Sequence, residues 1–316
     1  MSANISPWII NRRQDLTWFS GSALFGYALI ALAIAFGGLP GKLAVGIGFA
    51  IDNPHVYSTT IRTVFDNKER ARIRWLWLGI LPLCVFGPIV TLLLGFASFF
   101  LFIAAWSQYH ISKQHVGFVM IYKRKARERT DFKLDKAFTL TSLLLPFAYY
   151  LSAALVGSAL FLLFFIPAVV IFLLYGWYQS RKSEINWPKL TLLVAFIPLQ
   201  WLAWSFAAVD PKSPTRLLAA AVAVNIGHSF QYLRLMWFHN RNRYHDRPGL
   251  LGIVSRKWIY FLGFAVLLAL PNYLAARAHD ELISAAMLGF LMFHFVLDAR
   301  IWRIRGDVEL ANALRL

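Results

Sequence analysis

Long apolar runs separated by short charged stretches make up nearly all of the 316-residue chain. A membrane-crossing helix needs about 20 mostly apolar residues. Cutting the chain at its charged stretches predicts about ten such helices, near 17–38, 43–65, 75–95, 96–122, 135–157, 158–178, 189–208, 216–238, 258–277 and 282–304. Only short turns containing Gly or Ser divide the third from the fourth and the fifth from the sixth. The expected fold class is all-α, a polytopic membrane helical bundle, with residues 1–316 forming a single transmembrane domain.

Four of these segments break the apolar pattern. Segment 96–122 contains Trp106-Ser107-Gln108-Tyr109-His110-Ile111-Ser112-Lys113-Gln114-His115, and segment 43–65 contains Asp52-Asn53-Pro54-His55. Segment 216–238 carries His228 and Gln231, and segment 282–304 carries His294 and Asp298. All four are even-numbered, so all four helices are expected to run in one direction. Counted back from the expected cytoplasmic ends, His55, His110, His228 and His294 each lie about ten residues inside, roughly 15 Å at the rise of a helix. His115 and Asp298 lie about one turn nearer the cytoplasm. The central expectation is that these four polar sites meet.

Residues three or four apart share a helix face. Asp52 with His55, His110 with Gln114, His228 with Gln231, and His294 with Asp298 therefore each form a pair, supplying two ligands or one ligand and its orienting partner. His110 and His115 are five apart and turn away from each other on a regular helix. A lone histidine in an apolar helix is most simply a buried imidazole bonded to a neighbouring helix. Four at one depth point instead to function, and neutral imidazole with carboxylate suits iron, zinc or copper. The expected metal ligands are His55, His110, His228 and His294, with His115 as a further candidate and with Asp52 and Asp298 binding directly or orienting the imidazoles. Pro54 is placed to break its helix beside the metal. Trp106, Tyr109 and Tyr232 lie next to the polar residues and most simply pack there. His239 is expected in a solvated loop at the interface, and His279 has no assigned role.

Composition agrees with the membrane reading: 59% of residues are hydrophobic, only 15% are charged, and mean hydropathy is +0.56. The 32 basic and 15 acidic residues leave a formal charge of +17. In a membrane protein that excess is read as cytoplasmic loops facing anionic lipid, not as a nucleic-acid surface. Basic stretches follow the even segments, at 68–74, 123–129, 181–182, 241–243 and 303–305, whereas the connection at Asp210-Pro211-Lys212-Ser213-Pro214 is nearly neutral. This alternation predicts both termini in the cytoplasm and suits a bacterial inner membrane. The first apolar run lacks a small-residue cleavage site and is read as retained. Cys84 is the only cysteine, which excludes a thiolate cage.

Multiple spans, histidines near their cytoplasmic ends and basic cytoplasmic loops resemble the integral-membrane, histidine-rich non-haem iron enzymes. That group includes fatty-acid desaturases and hydroxylases and the bacterial carotenoid-cleaving dioxygenases of the Brp and Blh type. The closely spaced HxxxH and HxxHH boxes of desaturases are absent; the nearest stretch, His110 to His115, is one residue wider. The resemblance implies a site with few histidines, non-haem iron as cofactor, O₂ as co-substrate, a lipid or isoprenoid substrate entering from the bilayer, and an electron donor as a possible partner. Zinc, copper or haem would also accept histidine ligands. A transporter using an intramembrane Asp/His proton or ion relay is the alternative from another class, and a haem-binding membrane protein is a third.

Overall fold

The computed structural model describes residues 6–277 and 281–316, and its elements are helices, with no strand among the described residues. In chain order these are α1 (Arg12–Phe36), α2 (41–63), α3 (Asn67–Leu93), α4 (Phe96–Lys125), α5 (Phe132–Val156), α6 (Phe161–Ser180), α7 (Trp187–Ala208) and α8 (Pro214–Tyr244). They continue with α9 (Leu250–Arg256), α10 (Trp258–Arg277), α11 (Glu281–Ile301) and α12 (Val308–Ala313). Among the described residues seven are long and apolar enough to cross a membrane: α1, α3, α5, α6, α7, α10 and α11. The other three long stretches, α2, α4 and α8, hold His55, His110 with His115, and His228. Their polar residues dilute the apolar run on which insertion depends.

Three helices contain a π-helical turn, at Leu16–Ser20, Gly48–Asp52 and Leu76–Ile80. The second and third end two residues before Pro54 and Pro82. A proline has no N–H to give the carbonyl four residues back, so the backbone inside the preceding turn is freed for wider bonding. Pro54 thus widens its helix where a break was expected, and it does so immediately before His55.

The chain divides into two compact units, Met1–Ile47 with Ile111–Gln231, and Gly48–His110 with Tyr232–Leu316. In the first unit α7 packs against α1 and α5, and α5 packs against α6. Gly26 of α1 makes room for neighbouring backbone: a Cβ there would stand 2.4 Å from the Ala223 carbonyl oxygen and 2.7 Å from Leu199. Small residues at such crossings are how apolar helices approach closely when lipid supplies no hydrophobic drive. Polar side chains add helix-to-helix bonds, from Tyr27 Oη to the Ala195 carbonyl (3.0 Å) and from Gln231 Nε2 to the Phe19 carbonyl (2.6 Å).

In the second unit α11 packs along α3, and the 53–63 part of α2 packs on α10 and α11. Gly289 sets the α3–α11 distance, because a Cβ there would lie 2.5 Å from Val85 Cα. Ile61, Tyr232, Met236, Phe261 and Ile301 form one buried apolar cluster and Ile73, Leu76, Phe293 and Leu297 another. An ion-pair network closes one end of the unit. Glu69 accepts from Arg62 (2.8 Å), Arg72 (2.6 Å) and Arg243 (3.1 Å), and Arg72 and Arg243 also hold Asp307 (2.8 Å) and Glu309 (2.7 Å) at the start of α12. These anchors tie α2, α3 and α8 to the start of α12.

Candidate metal centre

The second unit brings together His55, His110, His294 and Asp298, all buried. His55 Nε2 lies 3.0 Å from His294 Nε2, Asp298 Oδ2 lies 3.5 Å from His294 Nε2, and the same oxygen lies 3.8 Å from His110 Nε2. Metal bonds of about 2.1 Å separate neighbouring ligand atoms by roughly 3.0–3.4 Å, so these spacings suit one ion with little adjustment. His110, His294 and Asp298 form a compact ligand group of two imidazoles and one carboxylate. His294 and Asp298 share a face of α11 because they are four residues apart, and the π-helical turn before Asn53 delivers His55 from α2.

The outward atoms of these side chains have partners of their own. Tyr232 Oη donates to Asp298 Oδ1 (2.5 Å), so its oxygen accepts from Thr59 Oγ1 (2.7 Å) and Thr59 accepts from His294 Nδ1–H (2.7 Å). That chain of donors assigns His294 the Nδ1–H tautomer and leaves a lone pair on Nε2. Asp52 Oδ1, 3.3 Å from His55 Nδ1, assigns the same tautomer to His55. Two nitrogen lone pairs then face each other at 3.0 Å, an arrangement that repels unless a cation stands beside both. Phe295 stacks on the His110 ring at 3.9 Å between centroids, and Tyr232 meets the His55 ring edge-on at 4.7 Å. The imidazoles are thus held both by hydrogen bonds and by packing, and the apolar rings around them keep out competing water.

Of the other sequence candidates, His115 falls elsewhere. His228 and His115 belong to the first unit and are buried there. His115 Nδ1 bonds the Ile111 carbonyl of its own helix (2.9 Å), its ring packs on Phe196, and it joins no group of three or more possible ligands among the described residues. Gln114 and Gln231 do not orient imidazoles as their spacing suggested. Gln114 Nε2 donates to the His228 carbonyl (3.0 Å), and the Gln231 amide is held by Phe19. His239 is not in a solvated loop: it is fully buried, bonds Asn240 Oδ1 at 2.9 Å and lies edge-on to Trp302 and Tyr244. Trp106 and Tyr109 are 42% and 50% exposed, so they do not pack inside as expected, whereas Tyr232 does. His279 lies outside the described residues.

Thr59 was missed by sequence reading. It lies four residues after His55 on the same face of α2, a spacing that a search restricted to ionisable pairs passes over. The basic run 123–129 also hides a buried group. Lys123 is fully buried and bonds Asp135 and Glu128, and Lys189 reaches Glu128 (3.1 Å), Asp135 (3.4 Å) and Gln179 (3.2 Å). Tyr175 Oη adds a bond to Asp135 (2.5 Å), and Lys182 ties Glu128 (2.6 Å) to Asp131 (3.0 Å). No protein family, curated protein or solved structure matches the chain.

Proposed function

We propose that the second unit holds a non-haem iron ion and that the protein is a membrane-embedded, O₂-dependent oxidoreductase acting on a lipid or isoprenoid. The observation that carries this reading is the pair of facing imidazole nitrogens, His55 Nε2 and His294 Nε2 at 3.0 Å, with the Asp298 oxygen beside them. Two histidines and one carboxylate with His55 adjoining is a donor set suited to ferrous iron with positions left for other ligands. Iron held there would bind and activate O₂. The chain's own part is to fix Nε2 as the coordinating atom of His55 and His294, to hold Asp298 Oδ1 through the Tyr232 hydrogen bond so that Oδ2 is left for the ion, and to surround the site with rings that exclude water. The 3.0 Å spacing leaves no room for a porphyrin plane between His55 and His294, which argues against haem on that pair.

His228 and His115 enter this proposal as further ligands, whose removal is to be scored beside the second-unit histidines. We take residues 1–316 as one transmembrane domain of ten spans, with α2, α4 and α8 crossing beside the seven more apolar helices and both termini in the cytoplasm of a bacterial cell. Its further partners are an electron donor and anionic lipid. A reporter fused after Arg129 or Arg305 is expected to signal cytoplasm, and one inserted at Pro214 the opposite side, because basic loops are retained there. Cytoplasmic signal at Pro214 would overturn the topology. The metal itself is tested by elemental analysis of the purified protein, and the reaction class by O₂ uptake of the iron-loaded protein in nanodiscs supplied with lipid or isoprenoid. Iron at one per chain without substrate-dependent O₂ uptake would retain the site and remove the activity.

A further inference from the structure

The first unit contains a cavity of about 1200 Å³ that the metal reading does not use. It is lined by the segment leading into α1, by residues 125–131 after α4, and by residues 182–191 at the start of α7. Three lysines (Lys123, Lys182, Lys189) and three carboxylates (Glu128, Asp131, Asp135) pair with one another and cancel in charge, and of these Lys182, Glu128 and Asp131 belong to the cavity wall. The other charged residues of the wall are Arg12, Lys125 and Arg127 against a single further acid, Glu184. Arg12 and Arg127 have no acidic partner among the described residues. The walls include Trp8, Leu16 and Trp187, amphipathic rings and an aliphatic chain of the kind that sit where a bilayer meets water. The cavity also lies at the ends of α1 and α7, two helices apolar enough to cross a membrane.

Arg127 reaches the cavity from a tight helix terminus. Its N–H bonds the Arg124 carbonyl (3.0 Å) and the next N–H, of Glu128, bonds the Lys123 carbonyl (2.8 Å), the bonding of a helix terminus that ordinarily ends in glycine. Arg127 occupies the glycine position with φ +55°, a conformation that side-chain-bearing residues enter only against a steric cost.

We propose that this cavity binds the phosphate head group of an anionic phospholipid, with Arg12 and Arg127 pairing with the phosphate and Trp8, Leu16 and Trp187 receiving the adjoining glycerol and acyl carbons. The site is independent of the metal centre and gives a defined place to the anionic-lipid contact expected of the basic loops. The test is native mass spectrometry of the full-length protein in detergent, titrated with phosphatidylglycerol, with phosphatidylcholine, and with inorganic phosphate as competitor. Wild type is expected to retain phosphatidylglycerol in preference to phosphatidylcholine, and inorganic phosphate is expected not to displace it. Arg127→Gly is expected to weaken phosphatidylglycerol retention about fivefold, the effect of one surface cation, while its unfolding temperature stays level or rises because glycine relieves the backbone. Arg12→Gln, at an exposed position, should weaken retention similarly and provides the same readout should Arg127→Gly fold poorly. Wild-type retention in both variants, equal retention of the two lipids, or displacement by inorganic phosphate would each overturn the proposal.

Discussion

In a titration of metal-depleted protein with ferrous iron, Thr59→Val and Asp52→Ala are each expected to weaken binding by roughly 10–100-fold, while His294→Ala and Asp298→Ala abolish it. The grading follows from the two layers of the site. Thr59 and Asp52 do not face the ion; they hold Nδ1 of His294 and His55 and so decide which nitrogen carries the lone pair. Loss of such an orienting partner characteristically costs one to two orders of magnitude in metal affinity. Valine matches the shape of threonine, so Thr59→Val removes the hydroxyl and leaves the packing. Tyr232→Phe should fall in the same range, because it frees Asp298 Oδ1 and interrupts the chain at its other end. His294 and Asp298 supply Nε2 and Oδ2 themselves. Equal loss in Thr59→Val and His294→Ala would mean that the hydroxyl is itself a ligand or that the chain is purely structural.

The second large effect is expected in the first unit. Asp135→Ala should lower the unfolding free energy in detergent by about 3–5 kcal/mol, the usual result of removing one partner from a buried ion pair. Asp135, Lys123 and Lys189 are all fully buried. Without the carboxylate Lys123 is left with Glu128, which Lys182 and Lys189 also hold, Lys189 keeps only Glu128 and the Gln179 oxygen, and Tyr175 loses its acceptor. Asp135→Asn retains an acceptor oxygen and should cost less. The same cluster sets an acid limit on the unit. Burial opposes ionisation of Glu128, but hydrogen bonds from Lys182 and Lys123, the nearby charge of Lys189 and the Asn186 amide outweigh it and hold its carboxyl down at about 2. A carboxyl with a depressed folded value contributes its stability in full above the unfolded value, roughly 4.3, and loses it as pH falls toward the folded one. Stability of the wild type should therefore decline between about pH 4.5 and pH 2, and Glu128→Gln should flatten that decline. An unchanged acid profile in Glu128→Gln would show that other carboxylates control it.

The helical class and the positions of its long elements were legible because apolar runs and charged punctuation are composition-level signals that tertiary context cannot reverse in a lipid-facing chain. Asp52, His55, His110, His294 and Asp298 were legible for a related reason: ionisable residues in such runs are too costly to be incidental. What the pattern could not convey was which polar residues face each other. Gln114 and Gln231 share helical spacing with histidines, yet their amides bond backbone carbonyls, since any buried amide takes the nearest acceptor. Thr59 was hidden because threonine is unremarkable in an apolar helix, and only its approach to His294 Nδ1 gives it a role. His239 and Lys123 read as solvated because basic neighbours surround them in sequence, whereas burial is decided by partners distant in sequence, Trp302 for one and Asp135 for the other. The widening of α2 before Pro54 was half legible: the proline announces a disturbance, and the local backbone decides that it takes the form of a π-helical turn.

Elemental analysis of detergent-purified wild type beside His110→Ala, His294→Ala, His228→Ala and His245→Ala decides whether the second unit holds iron. The account predicts close to one iron per chain in wild type, near none in His110→Ala and His294→Ala, and wild-type content in His245→Ala, whose side chain is half exposed and paired with Asp246. His228→Ala scores the sequence-derived ligand separately, with a loss matching His294→Ala adding it to the site and full content removing it. Full metal content in both His110→Ala and His294→Ala, or none in wild type expressed with iron, would contradict the account. The chain from Asp298 through Tyr232 and Thr59 to His294 would then be read as a relay.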